Sequence, residues 1–309
     1  MKFIVVTPAG RERYLRLLSH YVLGSPFVSE WHLWDNCRNP QDRAYLHALA
    51  ASDPRCKLKQ LPGADGNFGI IGAFFRFCDD PDTFYLRLDD DVVHIEDGLF
   101  EHMLERATAL RGSAIWFAPL IINNAVCAAL MKQLARVRIE GPISCQAMCP
   151  YAWAHADFPI ALHPVYIEAA QSGRLSDFHI PDREIRASRF SINAIGFFGA
   201  DKLALGDMFM PPGMLAEEEW LSASLPVRMN TCGKVLGNMT VAHFSFYTQE
   251  RRLLQTDILD RYYSLAGLPV PLYEKPVDGK RLKDMLRPWK KPKTSDRPSY
   301  RISLAGEPA

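Results

Sequence analysis

Short apolar runs alternate with segments of helical spacing over the first half of the chain. A short apolar run between turn signals is typical of a buried strand, whereas apolar residues three and four positions apart indicate a helix face. The predicted strands are Lys2–Thr7, Trp31–Trp34, Lys57–Leu61, Phe84–Leu88 and Ala114–Pro119. The predicted helices are Glu12–Val22, Gln41–Ala51, Ile70–Cys78 and Leu99–Leu110. This alternation predicts an α/β fold with a mostly parallel central sheet flanked by crossover helices.

The pattern changes in the second half. Proline and aromatic residues interrupt residues 141–190, which predicts binding loops rather than regular elements. The chain then returns to predicted strands at Ser191–Gly199 and Val235–Phe246, and to predicted helices at Glu217–Leu225 and Arg251–Ala266. After Pro269 it becomes basic and proline-rich, which predicts a loosely ordered extension over residues 269–309.

Composition narrows the class of protein. Hydrophobic residues make up 48% of the 309 residues, charged residues 23%, and the formal net charge is +1. Near neutrality excludes a general electrostatic attraction to nucleic acid or acidic lipid. The seven cysteines are an odd number, the chain opens directly into a predicted strand, and no apolar run approaches the roughly 20 residues of a membrane span. We therefore expect a soluble protein with free thiols in a reducing cytoplasm.

The candidate chemistry begins with three adjacent carboxylates, Asp89-Asp90-Asp91, directly after the strand Phe84–Leu88. Adjacent acids repel one another, and a hard divalent cation with oxygen ligands compensates that repulsion. Ligands of open α/β sheets bind at the carboxyl ends of the strands, where this cluster is predicted to lie. An Asp-rich turn or helix cap is the alternative. We favour a cation that holds a phosphorylated substrate.

Two later segments carry further candidate chemistry. Glu217-Glu218-Glu219 lies at a predicted helix start, where acids favour the helix dipole, but where a general base is also well placed. His243 lies near the end of an apolar run and is either a core residue or a ligand to the same cation. The first strand-to-helix turn lacks G-x-G-x-x-G, and the chain has no G-x-x-x-x-G-K-[ST] phosphate loop.

In this order and spacing, the motifs resemble those of glycosyltransferases of the GT-A fold, which use nucleotide-sugar donors. The resemblance spans roughly residues 1–260. Leu86-Arg87-Leu88-Asp89-Asp90-Asp91-Val92-Val93 resembles the D-x-D motif in a three-Asp form, and Glu218-Glu219-Trp220-Leu221 resembles the acidic acceptor-activating motif. The first strand with Thr7-Pro8 and Arg11 resembles the donor-binding start, and His243 resembles the late metal-ligating His.

The resemblance implies a role for each matched residue. Asp91, Asp89 and His243 are the implied ligands of Mn²⁺ or Mg²⁺, which bridges the diphosphate, and Asp89 also faces the nucleotide. Glu219 or Glu218 is the implied catalytic base, with Glu219 favoured because it directly precedes Trp220; a retaining mechanism requires no base. The implied nucleotide-binding residues are Thr7, Pro8, Arg11, Asp35, Asn36, Asn67, Gly69, Arg76, Asp89 and Asp90.

The implied organisation is a catalytic domain over residues 1–268, with a nucleotide-sugar half (1–125) and an acceptor half (126–268). The implied reaction moves a sugar from a nucleoside-diphosphate sugar, with UDP favoured, to a hydroxyl of a glycan, a small molecule or a nucleic acid. Aromatic residues such as Tyr151, Trp153 and Phe158 line an acceptor groove or fill this half.

Several alternatives stay open. The basic extension suits weak contact with a membrane surface or with nucleic acid, either as a plain binder or as a transferase that modifies DNA bases; its residues include Arg287, Lys290, Lys291, Lys293, Arg297, Trp289 and Tyr300. A non-catalytic carbohydrate-binding relative and a metal-dependent nucleotidyltransferase are further hypotheses. Asn123-Asn124 is either a sugar contact or a helix cap. Zinc at Cys145, Cys149, His155 and His163 is disfavoured because the histidine spacing is outside the usual range.

Overall fold

The computed structural model describes residues 1–64, 66–273 and 298–307. The strands are β1 (Lys2–Ala9), β2 (Glu30–Asp35), β3 (Cys56–Gln60), β4 (Thr83–Leu88), β5 (Val92–Ile95), β6 (Trp116–Ile122), β7 (Val137–Glu140), β8 (Arg183–Ile185), β9 (Ala194–Phe198), β10 (Gly233–His243) and β11 (Arg301–Leu304). The first helices along the chain are α1 (Glu12–Gly24), α2 (Pro40–Ser52), α3 (Phe68–Ile71), α4 (Leu99–Ala109), α5 (Ala125–Gln133), α6 (Asp157–Gln171) and α7 (Gly199–Leu205). The later helices are α8 (Glu217–Glu219), α9 (Leu225–Arg228), α10 (Glu250–Leu253) and α11 (Ile258–Leu265).

One nine-stranded sheet organises the chain, in the order β3-β2-β1-β4-β9-β6-β10-β5, with β8 paired to β10. Strands β1, β2, β3, β4, β6 and β10 run in one direction, and β5, β8 and β9 run in the other. Every residue of β4 and β6 is buried, as expected for central strands covered on both faces. The predicted α/β fold with a mostly parallel sheet is confirmed.

The structure corrects two predicted boundaries near the start of the chain. Strand β1 continues through Ala9, so Pro8 lies in the strand and not in a turn. Pairing with β4 ends at Val6, so β1 is bonded only to β2 beyond that point, and a proline is tolerated there. The predicted helix Ile70–Cys78 is instead the short α3 followed by a 3₁₀ turn over Gly72–Phe77.

The prediction of irregular loops over residues 141–190 is wrong for the segment that forms α6. Pro159 lies in the first turn of this helix, where its missing N–H is not needed, whereas Pro164 lies inside it. The helix is held by tertiary packing, because Phe158, Leu162 and Tyr166 on one face are completely buried. Trp153 is also largely buried, so Trp153 and Phe158 are core residues of the second half of the chain, whereas Tyr151 is exposed.

The end of the chain also differs from its prediction. The predicted helix Arg251–Ala266 is divided into α10 and α11. Strand β11 pairs antiparallel with β7, and the Tyr300 hydroxyl donates to the Pro142 carbonyl at 2.8 Å, so the expectation of loose order is wrong for these residues. The remaining basic segment, which includes Arg287, Lys290, Lys291, Lys293, Arg297 and Trp289, lies outside the described residues. No helix in the described ranges is long and apolar enough to cross a bilayer.

Candidate metal and donor site

The three aspartates lie at the carboxyl end of β4, in the short connection to β5. Two backbone hydrogen bonds fix this connection to other parts of the fold. The Asp89 amide donates to the Asn193 carbonyl at 2.8 Å, and the Phe244 amide donates to the Asp91 carbonyl at 2.8 Å. The second bond holds the end of β10 against the cluster, so His243 lies beside Asp91 although the two residues are far apart in the sequence.

Asp89, Asp91 and His243 form the candidate metal site. One potential ligand atom from each lies within 4.8 Å of the other two, and His243 Nε2 is 3.4 Å from Asp91 Oδ1. Asp91 Oδ1 and His243 Nδ1 are buried and have no hydrogen-bond partner among the described residues. A buried polar atom without a partner is costly, and coordination of a cation removes that cost. Two carboxylates and one imidazole form a ligand set for a divalent cation, with Mn²⁺ and Mg²⁺ both candidates.

Arg11 supplies the counter-charge to the cluster. Its guanidinium is paired with Asp90, lies 3.0 Å from Asp91 Oδ2, and lies 3.2 Å from Glu250 Oε1. The Gly10 amide also donates to Asp90 Oδ2 at 2.9 Å, so Asp90 faces the turn after β1 rather than the ion site. Burial opposes ionisation of Asp91, but Arg11 and His243 outweigh it and hold the pKa of this carboxyl below its ordinary value. Asp91 is therefore a charged ligand at neutral pH.

Asp89 is held from the other side. Arg87 Nη2 lies 2.8 Å from Asp89 Oδ1, and Asn193 Nδ2 donates to Asp89 Oδ2 at 3.0 Å. The same Arg87 nitrogen lies 3.4 Å from Glu217 Oε1, and the other terminal nitrogen donates to the Ile192 carbonyl. One buried guanidinium therefore spans the gap between the aspartate cluster and the acidic helix start.

The three adjacent glutamates occupy different environments. Glu217 and Glu218 are partly buried, with 18% and 22% of their side chains exposed, whereas Glu219 is exposed and forms no ion pair among the described residues. Glu218 accepts a hydrogen bond from Arg189 Nε at 2.5 Å. Burial raises the pKa of both Glu217 and Glu218 in opposition to their arginine partners. A π-helical turn over Trp220–Ser224 follows directly, and such turns are frequent at functional sites.

Gly72 makes room for the Glu217 side chain. A Cβ at position 72 would lie 2.1 Å from Glu217 Oε2. We expect Gly72→Ala to lower the free energy of unfolding by about 1–3 kcal/mol, because the added methyl displaces a carboxylate from its arginine partner. Urea unfolding measures this change. Gly24→Ala is the control, since no other group would lie within 4 Å of a Cβ added at that position. In a Glu217→Ala background the cost at position 72 should vanish; a cost that persists there would contradict the explanation.

The residues near β1 and β2 that are predicted to bind the nucleotide-sugar donor lie in different environments. Thr7 is fully buried, and its hydroxyl accepts from Trp31 Nε1 at 2.9 Å, so it supports the sheet, while Pro8 beside it is half-buried. Asp35 accepts from the Cys37 amide and from Arg43 Nε, both at 2.9 Å. Asn36 Oδ1 is buried without a hydrogen-bond partner in the described part of the chain, which leaves it free for a ligand.

Other predicted residues lie in the connection between β3 and β4. Asn67 is exposed, and its side chain accepts from the Gly69 amide at 2.9 Å. Gly69 adjoins Leu215, since a Cβ there would lie 3.2 Å from that side chain. Arg76 is exposed and has no ion-pair partner within the described ranges. The structure therefore does not bring Arg76 into contact with the aspartate cluster.

Asn123 and Asn124 support the fold at the end of β6. Asn124 caps α5 by accepting from the Val126 and Cys127 amides at 3.1 and 3.2 Å. Asn123 has a left-handed backbone (φ 62°) and donates to the Phe244 carbonyl at 3.0 Å. Both are buried, and the helix-cap interpretation fits Asn124.

His163, one of the four residues considered for zinc, is satisfied by hydrogen bonds. Its Nε2 lies 2.9 Å from the Phe244 carbonyl and its Nδ1 lies 2.7 Å from the Tyr262 hydroxyl. Both ring nitrogens are therefore engaged within the core, and the residue is a structural one.

Three residues of the site were not anticipated from the sequence. Arg87, Asn193 and Glu250 contact the cluster or its partner Arg11. A charged residue inside an apolar run was the available signal for Arg87. Asn193 and Glu250 carried none, because their partners lie far away along the chain.

Comparisons with known proteins establish the fold. No family model matches the sequence, and no curated protein matches it. A mannosyltransferase from Pyrobaculum calidifontis, in complex with GDP-mannose and Mn²⁺, is similar with a TM-score of 0.50 at 8% identity, over 86% of this chain and 64% of that chain. A 4-diphosphocytidyl-2C-methyl-D-erythritol synthase from Anaerococcus prevotii gives a TM-score of 0.44 at 12% identity, over 86% of this chain and 98% of that chain.

The first of these likenesses shows a GT-A-like fold, as the motifs predict, and the D-x-D-like pair Asp89-x-Asp91 is present at the end of β4. This chain spans less than two thirds of that enzyme's length.

Proposed function

We propose that the protein is a metal-dependent glycosyltransferase that moves a sugar from a nucleoside-diphosphate sugar to a hydroxyl acceptor. The observation that carries the proposal is the cluster of Asp89, Asp91 and His243 at the carboxyl end of β4. The Arg87 guanidinium contacts both this cluster, at Asp89, and the partly buried Glu217. A cation site alone suits many reactions. A cation site that faces partly buried carboxylates of raised pKa suits transfer of a group to a hydroxyl.

The donor side of the site is the aspartate cluster and its surroundings. Asp91, His243 and Asp89 would hold Mn²⁺, which when bound neutralises charge on the leaving diphosphate as a Lewis acid. Arg11 lies beside two of the aspartates and keeps Asp91 ionised, so the ligand set is ready before the cation arrives. Asn36, with its unpartnered buried oxygen, is the residue best placed to meet the base, and UDP remains the favoured nucleotide.

The acceptor side is the helical segment that begins at Glu217. Glu218 is the proposed base, because it is partly buried, has a raised pKa and is oriented by Arg189. A carboxylate with a raised pKa is better matched to abstracting a proton near neutral pH. The position of Glu219 before Trp220 favours it as the base, but its exposure makes it the weaker candidate. The acceptor class stays open among glycans, small molecules and nucleic acids.

A nucleotide screen tests this function. Thermal unfolding of the wild-type protein is measured with UDP, GDP and CDP, each with and without Mn²⁺. We expect one nucleotide to raise the melting temperature only with Mn²⁺, since a ligand at 100 times its Kd stabilises the native state by about 2.7 kcal/mol. The matching nucleotide sugars then show whether nucleoside diphosphate is released.

The other outcomes decide against the proposal in distinct ways. Release of pyrophosphate would identify a nucleotidyltransferase. Binding of the donor without turnover, with any acceptor tried, would identify a carbohydrate-binding relative. If no nucleotide changes the melting temperature, the aspartate cluster has another role.

A further inference from the structure

Arg87 is an unusual residue for the middle of a buried sheet. It is the penultimate residue of β4, only 7% of its side chain is exposed, and its Nε has no hydrogen-bond partner among the described residues. A buried guanidinium is stable only when it is paired. Its carboxylate partners are Asp89, two residues away, and Glu217, separated from it by 130 positions.

These two partners belong to different parts of the site. Asp89 is one of the three candidate cation ligands, whereas Glu217 is not part of that group. Glu217 begins the helical segment whose next residue is Glu218. Its Oε1 faces Arg87, and its Oε2 is buried against Gly72 without a hydrogen-bond partner in the described residues. The Glu217 carboxylate is therefore fixed by Arg87 and by the space that Gly72 leaves.

We propose that Arg87 is a positioning residue that couples the cation site to the acceptor-side helical segment through its shared contact with Asp89 and Glu217. This inference rests on the proposed function for the meaning of the two sites, but the coupling itself is a property of the chain. The Arg87 charge competes with a cation for Asp89, and Glu217 takes up part of that charge. When Glu217 is neutralised, Arg87 pairs with Asp89 alone. Asp89 is then less available to a cation, and the cation is bound less tightly.

Coupling of this kind is reciprocal. If pairing of Arg87 with Glu217 changes the free energy of cation binding, then cation binding changes the free energy of that pairing by the same amount. Arginine is suited to this role because its Nη2 contacts both carboxylates while its Nη1 donates to the Ile192 carbonyl, an anchor that the single ammonium of lysine cannot supply at the same time.

A double-mutant cycle tests the proposal. The Kd for Mn²⁺ is measured by calorimetry on nucleotide-free wild type, Glu217→Gln, Arg87→Gln and the double variant. We expect Glu217→Gln to weaken Mn²⁺ binding about 10-fold, the usual size for residues that orient metal ligands. In the Arg87→Gln background the same change should cost about 2-fold or less, since only the direct effect of the lost charge remains.

Further variants keep the test decisive. Arg87→Lys preserves the charge but has no second nitrogen to hold the Ile192 carbonyl while the first contacts both carboxylates, so Glu217→Gln should also lose most of its effect in that background, even if Arg87→Gln fails to fold. Arg106→Gln, which breaks an ion pair with Asp182 at 2.5 Å elsewhere, is the control and should leave the Kd unchanged. If Glu217→Gln leaves Mn²⁺ affinity unchanged in the wild type, or weakens it equally in all backgrounds, the coupling is refuted.

The readout also separates this proposal from the proposed function. Mn²⁺ affinity is measured without donor or acceptor, so coupling remains measurable if no sugar transfer is found. Conversely, transfer with additive effects in the cycle would support the function and overturn the role of Arg87.

Discussion

Asp91→Asn is expected to lower kcat/KM for sugar transfer by roughly 10³-fold, equivalent to about 4 kcal/mol of lost transition-state stabilisation. The substitution keeps the size of the side chain and its place between Arg11 and His243. It removes the negative charge from a carboxylate whose Oδ1 is buried without a hydrogen-bond partner among the described residues, so the proposed cation would lose a charged ligand. The Mn²⁺-dependent rise in melting temperature with nucleotide should disappear in parallel.

The control for this prediction is Asp97→Asn. Asp97 is an exposed acid just beyond the other end of β5, so its substitution changes the net charge equally without touching the cluster. Transfer is measured as release of nucleoside diphosphate, and near-ultraviolet circular dichroism checks that both variants are folded. Full Mn²⁺-dependent transfer in Asp91→Asn would show that the cation is bound elsewhere.

The sequence predicts this part of the site because its signal is local. An apolar strand that ends in three aspartates places them at the carboxyl edge of the sheet, and β4 ends at Leu88 as predicted. His243 could be assigned to the same edge because its own apolar run ends there, and it is the last residue of β10. Strand ends are readable from a sequence, and the parallel topology then brings them together.

Which acidic residue faces the site is not readable in the same way. Successive residues of a helix point about 100° apart, so three adjacent glutamates cannot all face inward. The orientation is set by contacts with Arg87, Arg189 and Gly72, which lie far from the glutamates along the chain. Proximity to Trp220 favoured Glu219, but the Trp220 indole is directed to the carbonyls of Met208 and Phe209 and fixes a different face.

The unpredicted helix α6 has a related cause. Its prolines and aromatics indicate a loop when they are considered locally. The burial of Phe158, Leu162 and Tyr166 against the rest of the fold stabilises a helix that local propensity disfavours. Tertiary packing decides such segments, and it is not visible in the spacing of prolines.

Glu218→Gln is expected to lower kcat by about 10²–10⁴-fold, the usual contribution of a general base, while Mn²⁺ affinity and the KM for donor change little. Glutamine keeps an oxygen that accepts from Arg189, so the helical segment should stay in place. Glu219→Gln is the matched control, since it removes the neighbouring charge from an exposed position and should change kcat by no more than about 3-fold.

The pH dependence distinguishes a base from a structural carboxylate. Burial raises the pKa of Glu218, with Arg189 acting against it, so the folded protein takes up this proton at a higher pH than an exposed glutamate does. A base acts only when it is unprotonated, so kcat should fall as the pH is lowered through that raised pKa. The acidic limb of the profile should lie above pH 4.5, the ordinary pKa of a glutamate, and should vanish in Glu218→Gln.

If Glu219→Gln removes the acidic limb instead, Glu219 is the base and Glu218 is not. If neither variant slows transfer, the reaction needs no carboxylate base, as in a retaining mechanism, and the segment after Glu217 serves only to bind the acceptor.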